Sequence, residues 1–384
     1  MSLSTRIFRP QHQAARYVAA LLSALVLVGG CASRQEKPKP AELAPVTPLL
    51  GVRLAWTARV GEGAVAQTVQ VAEQQITVAG KDGTVVAIDP DTGRDIWRVN
   101  VGAPVAAGVG SDGKLTAVVT VGNELVTLSA GKVLWRQKLA ADVYTAPLVA
   151  GGRVFLLSAD RSVSARDGAT GRQLWVQQRP GEPLVLRQPG VLLAVGDTLV
   201  AGLSGRLVGM NPNSGSSRWE APLASPRGTN DVERLVDLVS GVSREQDTVC
   251  ARAFQAAVGC VNATSGSVLW TKPANGFLGI GGDSQFVFVA QNDGRIEAWQ
   301  RATGERAWRS DRLQYRDLTT PMVVGRSIVI GDGTGLVHLL SREDGAPLNR
   351  LSTDGSAIVA APVLSGRTLV VVTRSGGVFG FVPQ

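Results

Sequence analysis

The sequence predicts an all-β fold, an eight-bladed β-propeller with four antiparallel strands per blade. Three observations predict it: a tryptophan at a near-constant interval, paired glycine turns within each interval, and a proline lead-in before many of the units. The tryptophans are Trp56, Trp97, Trp135, Trp175, Trp219, Trp270 and Trp308, with gaps of 41, 38, 40, 44, 51 and 38 residues. Repetition at about 40–50 residues marks propellers and solenoids. One further step of 41 reaches Asn349, where Asp344-Gly345-Ala346-Pro347-Leu348 keeps the pattern without the Trp. That makes eight repeats.

The clearest repeat runs from Gln75 to Trp97. Apolar residues alternate on both sides of Asp82-Gly83, which reads as two half-buried strands joined by a tight hairpin. Thr92-Gly93 makes the next turn, and a short strand then carries Trp97. The remaining strand of each blade comes from a lead-in such as Ala103-Pro104-Val105, Ala146-Pro147-Leu148, Thr320-Pro321-Met322 or Ala361-Pro362-Val363. Proline is tolerated at a strand's first residue, where its missing N–H costs least. The Trp, a large flat side chain, is expected to pack between neighbouring blades.

The chain ends predict how the ring closes. Arg53-Leu54-Ala55-Trp56 has no complete blade before it, and Gly377-Val378-Phe379-Gly380-Phe381 has no Trp strand after it. The N-terminal strand should complete the last blade and so cover an edge that could recruit other chains.

Residues 1–30 read as an export signal: basic residues up to Arg16, then a dozen apolar ones, too few to span a bilayer. The segment ends Leu27-Val28-Gly29-Gly30-Cys31, which resembles the lipobox of bacterial lipoproteins. Cys31 is then the lipidated residue, and acyl chains there would anchor the protein, since each buried CH₂ contributes roughly 0.8 kcal/mol. Ala32 in place of Asp implies, by the enteric sorting rule, the periplasmic face of the outer membrane. The Pro- and Lys-rich stretch through residue 50 reads as a disordered tether, and residues 51–384 as a single propeller.

The whole chain carries a formal charge of +8. Removing the leader takes three arginines and no acid, which leaves +5. The remaining bases are spread through the repeats rather than clustered with aromatics, so nucleic acid is not an expected partner. Cys250 and Cys260 fall opposite each other on the two arms of one hairpin. An oxidising compartment would allow a disulfide; the alternative is two buried thiols.

Catalytic chemistry has little to stand on. His338 is the one histidine of the mature chain and sits within a strand pattern. A triad or a multi-His metal site would rest on that residue alone. Asp89-Pro90-Asp91-Thr92-Gly93 lacks the distal Glu of a calcium loop, and Gly331-Asp332-Gly333-Thr334-Gly335 is followed by no helix to cradle phosphate. No metal or cofactor is expected. The blades also resemble those of quinoprotein dehydrogenases, but the adjacent cysteine pair that helps those enzymes hold their quinone is missing.

The two longest intervals hold Leu184-Val185-Leu186-Arg187 and Arg234-Leu235-Val236-Asp237. Extra residues in a ring go to loops, which either carry recognition or merely vary in length. With the lipobox and the eight blades, these segments resemble the BamB family, scaffold lipoproteins of the β-barrel assembly machinery, over essentially the whole mature chain. The resemblance implies a non-enzymatic protein that binds the POTRA domains of BamA and reaches the other lipoproteins of that machinery indirectly. It further implies a chain that assists insertion of outer-membrane proteins and handles unfolded clients. In those roles Leu184 and Leu186 would be apolar anchors, Arg187 a donor, and Arg234 and Asp237 the charged arm. The family's second acid is Val239 here, which removes one expected charge contact. Two other readings remain: a small quinoprotein-like dehydrogenase, and a carbohydrate- or peptidoglycan-binding propeller.

Overall fold

The computed structural model describes residues 38–61, 68–179 and 184–384; the expected signal peptide and Cys31 lie outside them. The unit from Pro40 to Gln384 is built of eight four-stranded antiparallel sheets. Seven sheets take four consecutive strands each, forming blades 1 to 7 from residue 70 to residue 352. Blade 8 joins Val363–Ser365, Thr368–Val372 and Gly377–Pro383 to the N-terminal strand Val52–Arg59, as the chain ends predict. Successive blades pack on one another, and the inner strands of blades 1 and 8 touch too, so the ring is closed.

One expectation needs correcting. The strands Gln75–Ala79 and Thr84–Ile88 are buried at every residue rather than on one face. Each blade has a neighbour packed on both faces, so its middle strands are sandwiched and both faces turn apolar. Only the outer strands alternate with solvent, as in Asp95–Asn100.

Each tryptophan occupies the seam between blades. Trp56 lies against Gly93, Trp97 against Gly131, Trp135 against Gly171, and the series continues to Trp308 against Gly345. These turn glycines have positive φ, and an added Cβ at any of them would strike the indole. Five indole N–H groups donate to the neighbouring turn, among them Trp56 to Pro90 O at 2.8 Å, Trp135 to Gly168 O at 2.8 Å and Trp270 to Arg301 O at 2.7 Å, whereas Trp219 Nε1 is buried without a partner.

The outer strand carries a second periodic device. Trp97 pairs with Ala87, but Ile88 pairs with Asp95, so Ile96 is bulged out. The same skip falls one residue before the Trp in every blade, and before Asn349 in blade 7. A bulge adds twist and re-aims the next side chain, here into the seam. It also explains why Ile96, Leu134 and Leu269 are exposed: they are the bulged residues. A twisted, bulged outer strand is a poor template for edge pairing.

Residues 41–50, expected to belong to a disordered tether, are docked on the propeller. Ala41 N donates to Gln314 O at 2.9 Å, Leu49 N to Leu348 O at 2.8 Å, and Leu43 packs with Leu313 and Leu318. Proline-rich composition signals an extended chain, and here the extended chain lies in a groove that supplies its hydrogen bonds.

Candidate functional site

The hairpins between the second and third strands, and the connections between blades, share one face of the ring, the loop face. The other two turns of each blade lie on the opposite, turn face. Both long connections belong to the loop face: residues 179–191 lead from blade 3 to blade 4, and residues 223–237 from blade 4 to blade 5.

Arg161 organises them. It sits in the blade 3 hairpin with φ 65°, a left-handed conformation uncommon for a residue with a side chain. Its Nη1 donates to Asp237 Oδ1 at 2.9 Å and its Nη2 to Leu184 O at 3.0 Å. The other oxygen of Asp237 accepts from Leu186 N at 2.9 Å. One arginine from blade 3 and one aspartate from the second long connection thus hold the first.

Further bonds make the segment a rigid platform. Gly190 N donates to Thr145 Oγ1 at 2.9 Å, Ser240 N to Pro189 O at 2.8 Å, and Gln188 Nε2 to Phe277 O at 2.8 Å. Arg187 stays exposed: its Nε donates to Tyr144 Oη at 3.1 Å, and its guanidinium lies 5.5 Å from the Tyr144 ring centre. The bond to the tyrosine hydroxyl raises the Arg187 pKa, and a cation over an aromatic face is held in place. Leu184 is 38% exposed, and across the platform Val232 is 69% exposed. Val232 rides a single turn closed by Glu233, which accepts from Thr229 N at 2.9 Å while its own N–H donates to Asn230 Oδ1. That reciprocal cap fixes an otherwise bare loop.

Sequence reasoning placed Leu184, Leu186, Arg187, Arg234 and Asp237 in one site, and the structure brings these loops together. Two details differ. Asp237 was expected to face a partner, yet both its oxygens bind within the chain. Position 239 is no surface position either: Val239 is 1% exposed and stands directly opposite Arg252. Arg252 is 0% exposed, with Nη1 on Ala290 O and no partner for Nε or Nη2; burial pushes its pKa down to about 10. An acid at position 239 would face that arginine rather than solvent. Arg161 and Tyr144 were missed, because each meets its partner only through the fold, 76 and 43 residues away.

Cys250 and Cys260 face each other across the blade 5 hairpin, fully buried, as a disulfide. Arg301 from blade 6 donates to Cys250 Sγ and Ser243 Oγ. The bridge stiffens the blade into which the second long connection leads.

The loop face opens at its centre on a cavity of about 490 Å³. Pro147, Pro189, Val191, Phe277, Leu318 and Ile358 line it, and no charged side chain does among the described residues. A quinone bearing several carboxylates, or the divalent ion that accompanies it, would find no charge to bind there. His338 is buried against Asp332 at 2.9 Å, within a strand.

The comparisons with known proteins follow this geometry. A family model described as outer membrane protein assembly factor BamB matches residues 81–310. The outer membrane protein assembly factor BamB of Burkholderia pseudomallei is 39% identical over 96% of this chain and 99% of its own length. The chain belongs to the BamB family. The crystal structure of BamB from Moraxella catarrhalis superposes with TM-score 0.79 at 21% identity, covering 86% of this chain and 99% of that one. A quinohemoprotein alcohol dehydrogenase from Pseudomonas putida HK5 shares the fold alone, with TM-score 0.69 at 13% identity over 89% of this chain and 78% of that one. Membership of the BamB family makes this propeller an outer membrane protein assembly factor, working at the outer membrane.

Proposed function

We propose that the chain is a non-enzymatic scaffold whose loop platform binds the POTRA domains of BamA. Cys31 would carry the lipid that holds it to the periplasmic face of the outer membrane. The observation that carries this reading is the pairing of Arg161, Asp237 and Leu186 N, which presents Leu184 and Arg187 outward on a rigid base. Interface energy concentrates in a few such anchors, and a preformed loop loses less entropy on binding. Other lipoproteins of the machinery are reached through BamA, and unfolded clients pass by the same face. The uncharged central cavity supports the non-enzymatic side of the reading.

The test is binding of residues 32–384 to the POTRA domains of the same organism's BamA, by interferometry, beside Arg187→Glu and Leu186→Asp. Binding that both variants weaken, with unchanged circular dichroism, supports the platform. Equal affinity in all three proteins removes it.

A further inference from the structure

The docked N-terminal segment has a direction. Ala41 lies at the loop face: its carbonyl accepts from Arg316 Nη1 at 2.9 Å, and Arg316 binds Asp332 and Thr334 of the blade 7 hairpin. From there the chain descends along the outer strand of blade 7. Arg350 Nη2 donates to Ala44 O at 3.0 Å, and Asn349 Nδ2 to Leu50 O at 2.7 Å. At the bottom Arg326, in a turn-face hairpin, donates to Leu49 O, and the chain turns up into Val52–Arg59 of blade 8. Asn349 stands where the other blades place Trp. Blade 8 has no turn between its third and outer strands, because the two chain ends meet there: Gln384 N donates to Gly51 O. The partner that a Trp would stack on is absent, and the asparagine binds the incoming segment instead.

We propose that residues 40–50 are a fixed strap that brings the anchored end of the chain out on the loop face, making this the membrane-side face of the ring. The inference rests on the reading of Cys31 as the lipidated residue. Ala41 stands ten residues beyond Cys31 in the chain. A chain of that length spans at most about 35 Å. The loop face is therefore leashed within that distance of the bilayer. The turn face stands a blade's height further off.

Two measurements on the full mature protein test this. The first is amide exchange at Ala41 and Leu49. Slow exchange, accelerated by Asn349→Ala, supports the strap; exchange at the free-chain rate in the unaltered protein overturns it. The second uses lipidated protein in phosphatidylethanolamine–phosphatidylglycerol vesicles bearing a headgroup quencher. Dyes are attached at Lys81→Cys on the loop face or Arg367→Cys on the turn face. At least twofold stronger quenching at position 81 supports the orientation, and equal or reversed quenching overturns it. Mass spectrometry of the same sample shows whether Cys31 carries acyl chains. An unmodified Cys31 sinks the anchor reading, whereas equal quenching on an acylated chain sinks only the orientation.

Discussion

Asp237 and Asp332 are the same device at two depths. Each lies at the loop face, takes an arginine from another loop and caps a backbone amide: Arg161 and Leu186 N for one, Arg316 and Leu336 N for the other. Asp332 is fully buried, also binds His338 and Thr334, and ties blade 7 to the strap. Asp237 keeps its side chain 18% exposed and ties two long loops. The difference teaches what burial does to a staple. Sealed in, it belongs to the architecture, and its loss is paid in stability. Left at the rim, it belongs to a surface, and its loss is felt by whatever docks there.

The largest expected effect breaks the buried staple. Asp332→Ala leaves Arg316 and His338 facing an empty, solvent-excluded site. Removing one partner of a buried pair costs about 3–5 kcal/mol, read as a lower urea midpoint. A loss below about 1 kcal/mol would show that water replaces the carboxylate. Next, Asp237→Ala should lower stability by only about 1–2 kcal/mol, since the site is open to water. Affinity for the POTRA domains should fall at least about tenfold, equivalent to about 1.4 kcal/mol. The reverse pattern, large unfolding and intact binding, would erase the contrast.

Acid sharpens it. Burial opposes ionisation of Asp332, but bonds from His338, Leu336 N, Arg316 and Thr334 outweigh it and hold the carboxyl far below the usual range. A depressed folded-state pKa gives stability that is complete above the unfolded value of 3.8 and lost as pH falls below it. Unfolding midpoints between pH 7 and pH 2 should drop less for Asp332→Asn than for the natural chain below pH 4. Parallel curves would assign the acid sensitivity elsewhere.

The smallest effect is expected at Val239. A carboxylate placed in a core without partners costs several kcal/mol. Opposite Arg252 it meets two unpaired donors. Val239→Asp should therefore change stability by no more than about 1 kcal/mol, whereas Val261→Asp, equally buried and without a cation opposite, should not fold. Equal damage from both would deny Arg252 the role of partner.

The fold was legible in the sequence because its signals are local and repeated. The Trp interval, Asp82-Gly83 and Thr92-Gly93 each report a turn or seam within a few residues of themselves. Their recurrence from blade to blade makes the ring. Even the missing Trp at Asn349 was visible, though not its reason, which lies 299 residues away at Leu50. The candidate site was legible only as loop length and a short motif. That motif named Leu186 and Arg187 but did not show where Asp237 points, because which way a carboxylate turns depends on Arg161, a hairpin residue with no mark in its own neighbourhood. The docking of residues 41–50 was hidden for a related reason: proline-rich composition describes a free chain, and the groove that receives it comes from blade 7.

The pairing of Val52–Arg59 with Gly377–Pro383 has a consequence in time. The first of these strands is synthesised before any of the seven blades that lie between it and the second. Until Gly377–Pro383 emerges, blade 8 has no third strand, and blade 1 has no complete neighbour on its open side. Seven blades can form in order along the growing chain, but the ring becomes a ring only at its last strand. Without Gly377–Pro383 the chain would be left as an open spiral with two raw ends.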